Sequence, residues 1–242
     1  MKKVTLLFAM LMICNIVFAD NPVMNYLKKW VDETRIETAI GKLLINQFCK
    51  DLSKEYPLKE DPILTQKFSG FLEKCGVKNN GGLELKVMII DSSILDEILL
   101  PGGILILTKG YLACASSEEQ KDFILARNAY LVSQKQPLAV IKHEGIYPKF
   151  LDYIKLKEAK RTEKEMRDLL RAYLSVVKKM NHKKADVQGA LLTPNPEKTR
   201  LGAIKLLGQF NVSVWPPSPF DNIDMPSRIY DLENLKLPER NF

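Results

Sequence analysis

The chain has 242 residues, 46% of them hydrophobic and 27% charged, with a formal charge of +7. This is an ordinary globular composition, long enough for one sizeable core or for one domain with an extension. No stretch is low in complexity and no repeat period is visible, which excludes polymeric and repeat architectures.

The first residues stand apart. Lys2 and Lys3 precede an almost wholly apolar run from Val4 to Phe18, and Val17-Phe18-Ala19 before Asp20 offers a small-residue cleavage site. The run is shorter than the roughly 20 residues a membrane span requires. A signal peptide over residues 1–19 is expected, and with it an exported mature chain, 20–242, forming one domain. Two alternatives are an uncleaved anchor and a lipoprotein through Cys14; for the second, Ile13 is a poor fit where a small residue is wanted.

The spacing of Trp30, Ile36, Ile40, Leu43, Leu44 and Phe48 predicts a long amphipathic helix from Asn25 to Glu55. Asp61-Pro62 opens a second helix reaching Cys75, so residues 25–76 read as a helical hairpin. Asn79-Asn80-Gly81-Gly82 signals a turn. Leu83 to Asp91 reads as a buried strand, and Pro101-Gly102-Gly103 precedes a second β-rich run, Ile104 to Thr108, giving a sheet region over 83–112. Ser116, with Glu119 three residues on, begins a helix across 117–136. Beyond a break at Pro137 lies a basic helical region over 142–184, densest from Pro148 to Met180. A last helix runs from Pro196 to about Gln209, within a C-terminal part over 185–242 whose tail from Trp215 reads as extended or irregular. Helices flanking one contiguous small sheet predict an α+β fold, mostly helical.

Charge and cysteines add two expectations. Residues 142–184 hold 13 Lys/Arg against 6 Asp/Glu, which leaves the rest of the mature chain slightly acidic. Such a stretch is either a solvated helix face or a surface for an anionic membrane or an acidic protein; nucleic acid is not expected for an exported chain. Cys49 and Cys75, on antiparallel helices, would be offset by on the order of 10 Å at 1.5 Å rise per residue, beyond the Cα separation of about 7 Å a disulfide tolerates. Cys49, Cys75 and Cys114 are therefore expected as free thiols.

Four segments carry a resemblance. Ile98-Leu99-Leu100-Pro101-Gly102-Gly103-Ile104-Leu105-Ile106-Leu107-Thr108-Lys109-Gly110-Tyr111-Leu112 is similar to an "A-L-P-G-G-x-I-x-x-T-x-G-L-L" hairpin. Ser117 to Ser133 is similar to a zinc helix, "E-L-A-x-V-L-A-H-E-x-x-H". Met180 to Ala190 resembles "N-E-x-E-A-D-x-x-G", and Met225-Pro226-Ser227-Arg228-Ile229 resembles "H-P-x-x-x-R-I". Together these resemble peptidase family M forty-eight, whose members include periplasmic zinc metalloproteases of the cell envelope. The resemblance implies a zincin-like domain, a periplasmic location and zinc as the family's cofactor.

Carried over position by position, the two helix ligands become Arg127 and Leu131, the third ligand becomes His182, and the general base becomes Asn128. Helical i, i+4 spacing lets two His grip one metal while an intervening Glu activates water. Arg and Leu do not ligate, and Asn accepts no proton. No catalytic residue, no metal ligand set and no bound cofactor are therefore expected. Asp186 persists where the family orients a ligand; either Arg127 replaces the missing cation by pairing with it, or Arg127 points to solvent. His143-Glu144 begins a second "HE" but reads as a loop pair, because Tyr147 stands where a second His would be and Gly145 and Pro148 argue against a helix there.

The reading is a zinc-less pseudopeptidase kept for binding, with an extended peptide or envelope protein, or an active paralogue, as partner. The hairpin strand Ile104, Leu105, Ile106, Leu107 and Thr108, with Arg127, Asn128, Asp186 and Arg228, is the expected binding surface through strand addition. Alternatives are a cryptic or partner-completed metalloendopeptidase and a basic protein of the membrane surface.

Overall fold

The computed structural model describes residues 22–52, 56–156, 160–212 and 224–237. The expected signal peptide with its cleavage point, and the proline-rich stretch 215–223, lie outside these residues.

The first helix, α1 (Pro22–Leu52), buries Glu37, Ile40, Leu44, Gln47 and Phe48, a stripe at helical spacing. The expected hairpin is interrupted: a short strand, β1 (Leu58–Glu60), lies between α1 and α2 (Pro62–Lys74). Asp61 caps α2 by accepting the Leu64 N–H, and Pro62 opens it where a missing N–H costs nothing. A 3-10 turn over Lys78–Gly82 then leads into β2 (Lys86–Ile90), shorter at both ends than expected. β3 (Glu97–Leu100) and β4 (Ile104–Thr108) form a hairpin.

These four strands make one mixed sheet in the order β1-β2-β4-β3, and the fold is α+β, mostly helical. β2 runs parallel to β4, while β1–β2 and β3–β4 are antiparallel. The register sets Ile90, Ile98 and Ile106 on one face and Glu97 with Leu107 on the other. β4 is central, and all five of its residues are buried. The helix α2 separates β1 from β2, so the sheet is not contiguous in sequence.

The β3–β4 turn is built for close approach. Gly102 and Gly103 have φ of 80° and 79°, a backbone that favours glycine. A Cβ at Gly41 of α1 would sit 2.0 Å from the Pro101 carbonyl oxygen, and one at Gly102 would sit 3.1 Å from Thr38 Cα. The long helix therefore presses directly on the turn.

After a short helix, α3 (Lys109–Cys114), comes α4 (Glu118–Ser133), which carries ten buried residues. Its capping box is Ser117 with Gln120, one residue later than expected at both positions. The expected break at Pro137 falls at Gln134-Lys135, where Lys135 is left-handed, and Pro137 lies in the first turn of the next helix, α5 (Gln136–His143). His143-Glu144 accordingly ends a helix rather than lying in a loop. The basic region divides into α6 (Tyr147–Lys155) and α7 (Glu163–Val176), followed by α8 (His182–Leu192), α9 (Pro196–Val212) and α10 (Met225–Glu233). The last of these replaces part of the expected irregular tail, with Pro226 in its first turn. α4 packs against α2, α8 and α9. Cys49, Cys75 and Cys114 are free thiols.

Candidate functional site

Where α4 meets α8, the backbones come unusually close: a Cβ at Gly189 would lie 2.8 Å from the Arg127 Cα. That contact turns the Arg127 side chain along the seam between the two helices and the sheet. Arg127 is 1% exposed and Asp186, on α8, is fully buried. Arg127 Nε donates to Asp186 Oδ1 at 2.7 Å. Arg228, brought in by α10, donates from Nε to Asp186 Oδ2 at 2.5 Å and from Nη2 to Oδ1 at 3.1 Å. One carboxylate thus receives two guanidinium groups, the second of them bidentate.

Two further groups lie against the Arg127 guanidinium. Its Nη2 lies 2.8 Å from His182 Nδ1, and its Nη1 is ion-paired with Glu97 on β3. Because an arginine nitrogen can only donate, the His182 ring accepts through Nδ1, which assigns its proton to Nε2. Asn128 donates to Glu97 Oε2 at 3.1 Å and to the Ile124 carbonyl at 2.9 Å. The cluster balances: two guanidinium groups, two carboxylates and a neutral imidazole.

The proton affinities follow from that arrangement. Burial alone would raise the Asp186 pKa; Arg228 and Arg127 outweigh burial and hold it below the usual carboxylate range. Burial pulls Arg127 down to about 10, with Asp186 opposing, so it stays charged at neutrality. His182 is pushed down to about 3, first by burial and then by Arg127 and Arg228, and remains neutral. For Arg228, burial favours the neutral form, but Asp186 overcomes it and raises the pKa.

The expected site residues therefore separate into three groups. Arg127, Asn128, His182, Asp186 and Arg228 converge, and Arg127 does pair with Asp186 rather than facing water. Leu131 is fully buried in the core and takes no part in the cluster; burying such a side chain stabilises by about 1.5–3 kcal/mol. The third group, Ile104, Leu105, Ile106, Leu107 and Thr108, is a correction. Strand addition needs an unpaired edge, and β4 is hydrogen-bonded to β2 on one side and β3 on the other. Thr108 is further committed as the cap of α3: its hydroxyl donates to the Ile94 carbonyl at 2.5 Å and accepts the Tyr111 N–H at 3.1 Å.

Two participants escaped the sequence reading. Glu97 supplies the second carboxylate, from the face of β3 that alternation assigns to the same side as Leu107. Tyr173 on α7, fully buried, donates its hydroxyl to the Leu99 carbonyl on the outer edge of β3. On the opposite face of the sheet, a cavity of about 260 Å³ is lined by Phe48, Tyr56, Ile90, Ile94, Ile98 and Ile106, among others.

The basic region is partly neutralised by acids from outside it. Lys142 meets Glu33 at 2.8 Å, Arg167 meets Asp51 at 3.3 Å, and Lys183 meets Asp224 at 3.0 Å. Lys149, Lys155, Lys164, Lys178 and Lys184 are exposed. No helix of the described residues is long and apolar enough to cross a membrane.

No protein-family model matches the chain, and no curated protein matches it.

Proposed function

We propose that the chain is an exported, zinc-less relative of peptidase family M forty-eight, with a zincin-like frame, that binds peptide or protein partners in the cell envelope without hydrolysing them. The observation that carries this reading is the position of Arg127. It stands where the resembling helix would hold its first zinc ligand, and its guanidinium is occupied by Asp186, Glu97 and His182.

The residues present do not fit a zinc ion. A guanidinium fills the place of a cation, and His182, the one residue able to ligate, turns its Nδ1 to Arg127. Among the described residues, no three His, Cys, Asp or Glu side chains come together as a metal site. The general-base position is equally closed, since Asn128 is spent on Glu97 and on the helix backbone. Arg127 serves instead as a fixed internal counter-ion.

What remains for function is surface rather than centre. The partner contacts the rim outside the ion-pair cluster, where Ile94 is 57% exposed beside the apolar cavity. Two measurements test the reading together. Elemental analysis and peptide-library digestion of the purified protein are expected to give neither stoichiometric zinc nor cleavage. Photo-crosslinking from position 94 in the native cell is expected to trap a discrete partner, while position 105 traps none. One zinc per chain, or chelator-sensitive cleavage that co-elutes with the protein, overturns the non-catalytic half. Crosslinks confined to the helix around Lys160 overturn the rim and favour the basic surface.

A further inference from the structure

A second buried carboxyl lies on the other side of the sheet. Glu37 sits on the apolar stripe of α1 in step with Ile40, Leu44 and Phe48, and is 1% exposed. Among the described residues, neither of its carboxyl oxygens has a hydrogen-bond partner. It belongs to the stretch of α1 that presses on the Pro101-Gly102-Gly103 turn, where Thr38 and Gly41 leave almost no space.

The groups around Glu37 do little for an anion. The Gly102 backbone N–H favours the charged form but falls short of a hydrogen bond and is outweighed by burial. Lys135 and Lys142 are the cations that face it, and both are drawn to Glu33 at 3.4 Å and 2.8 Å. Glu33 itself adds a like charge. From α7, Tyr173 contributes a neutral phenol whose hydroxyl is given to Leu99. An ionised carboxylate in such a place is strongly penalised, whereas the protonated acid is only a modest polar burden.

We propose that Glu37 is a proton-operated latch: protonated, it keeps α1 docked on the β3–β4 turn, and ionised, it lets this part of α1 lift from the sheet. Burial raises its pKa to about 7, so the transition falls in the neutral range. A carboxyl whose folded pKa lies above its unfolded value contributes stability in full below the unfolded value. That stability is lost as pH rises through the folded one. The docked helix is therefore tightest under mildly acidic conditions. Lifting it uncovers Ile40 and Leu44 together with the Pro101–Ile104 segment against which Gly41 and Thr38 pack.

Hydrogen exchange of the full chain between pH 5.5 and 8.5, expressed as protection relative to intrinsic rates, tests the latch. In the wild type, protection of amides 34–44 and 102–105 is expected to fall about tenfold or more across this range, with β2 unaffected. Glu37→Gln and Glu37→Met, neither of which ionises, are expected to hold that protection constant; either alone suffices if the other does not fold. A flat wild-type profile, a decline that persists in a folded variant, or a decline shared equally by β2 overturns the proposal.

Discussion

Asp186 and Glu37 are both carboxyl groups removed from water, one in each of the two layers flanking the sheet, and their proton affinities move in opposite directions. Burial acts on both in the same sense, towards the neutral acid. At Asp186 two guanidinium groups supply three hydrogen bonds and reverse it; at Glu37 the two nearby lysines are held by Glu33, and burial prevails. Depth alone does not determine the charge state of a buried acid. What decides it is whether a donor is aimed at it.

The largest effects are expected where the pairing is most complete. Asp186→Ala leaves Arg228 in the core without its carboxylate and Arg127 without one of its two, and Arg127→Ala removes one of the two guanidinium groups that hold Asp186 charged. Each is expected to destabilise the protein by about 3–5 kcal/mol in urea denaturation, the usual consequence of leaving a buried charge without its partner. The Arg127→Ala/Asp186→Ala pair is expected to lose clearly less than the sum, because the two share one interaction. Additive losses would show that the ion pair is incidental and that the comparison with Glu37 fails on its paired side.

On the unpaired side the sign reverses. Glu37→Gln is expected to raise stability at pH 8 by about 2–3 kcal/mol, scaled from roughly 1.4 kcal/mol per pKa unit. Near pH 4.5 it should change little. Taken by itself, Glu37, with a folded pKa of about 7, removes stability as pH rises from about 5 to 7.5, because it must give up its proton. His182 works in the opposite sense: its folded pKa of about 3 means that acidification below the ordinary histidine value charges the unfolded chain first. Stability measured against pH should therefore pass through a maximum near pH 6, and Glu37→Gln should remove the alkaline slope alone. A variant that keeps both slopes would place the alkaline transition elsewhere.

A third prediction tests the geometry that makes the pairing possible. Gly189→Ala introduces a Cβ 2.8 Å from the Arg127 backbone, so α4 and α8 must separate. A cost of about 1–3 kcal/mol is expected, typical of overpacking in a rigid core. Since separation also weakens the Arg127–Asp186 bond, the loss should shrink in an Arg127→Ala background. Equal losses in both backgrounds would uncouple the helix contact from the ion pair.

Much of the centre was legible in the sequence, and the reason is local. Arg127, Asn128, His182, Asp186 and Arg228 were singled out by the resemblance of short, local segments to a peptidase family's motifs, and each segment carries its own residues with it. Glu97 was not legible, because a four-residue strand is too short for alternation to mark which face it presents. The misplacement of the binding strand has a different cause. That β4 lies inside the sheet depends on its parallel pairing with β2, a contact between segments far apart in the chain on which the residues of β4 themselves are silent. Glu37 could have been found: counting apolar residues along α1 recovers the stripe, but the same count passes over an acid standing within it. The helix at Met225–Glu233 also carried a signal, Pro226 at its first turn, hidden by the proline-rich stretch before it.

The smallest expected effect separates the hydroxyl of Tyr173 from the acid it lies near. Tyr173 is buried between α7 and the outer edge of β3, and its hydroxyl is the donor to the Leu99 carbonyl. Tyr173→Phe keeps the ring and its packing but leaves that carbonyl without its side-chain donor, for an expected cost of about 0.5–1.5 kcal/mol. Burial raises the phenol pKa well above its ordinary value, so the hydroxyl stays neutral throughout the neutral range. It neither charges Glu37 nor discharges it. The loss in Tyr173→Phe should accordingly be the same at pH 5.5 and pH 8, and the alkaline slope of the wild type should survive in the variant. A cost that appears only above neutrality would show that the phenol helps to hold the Glu37 proton. The latch would then belong to the pair rather than to the carboxyl alone.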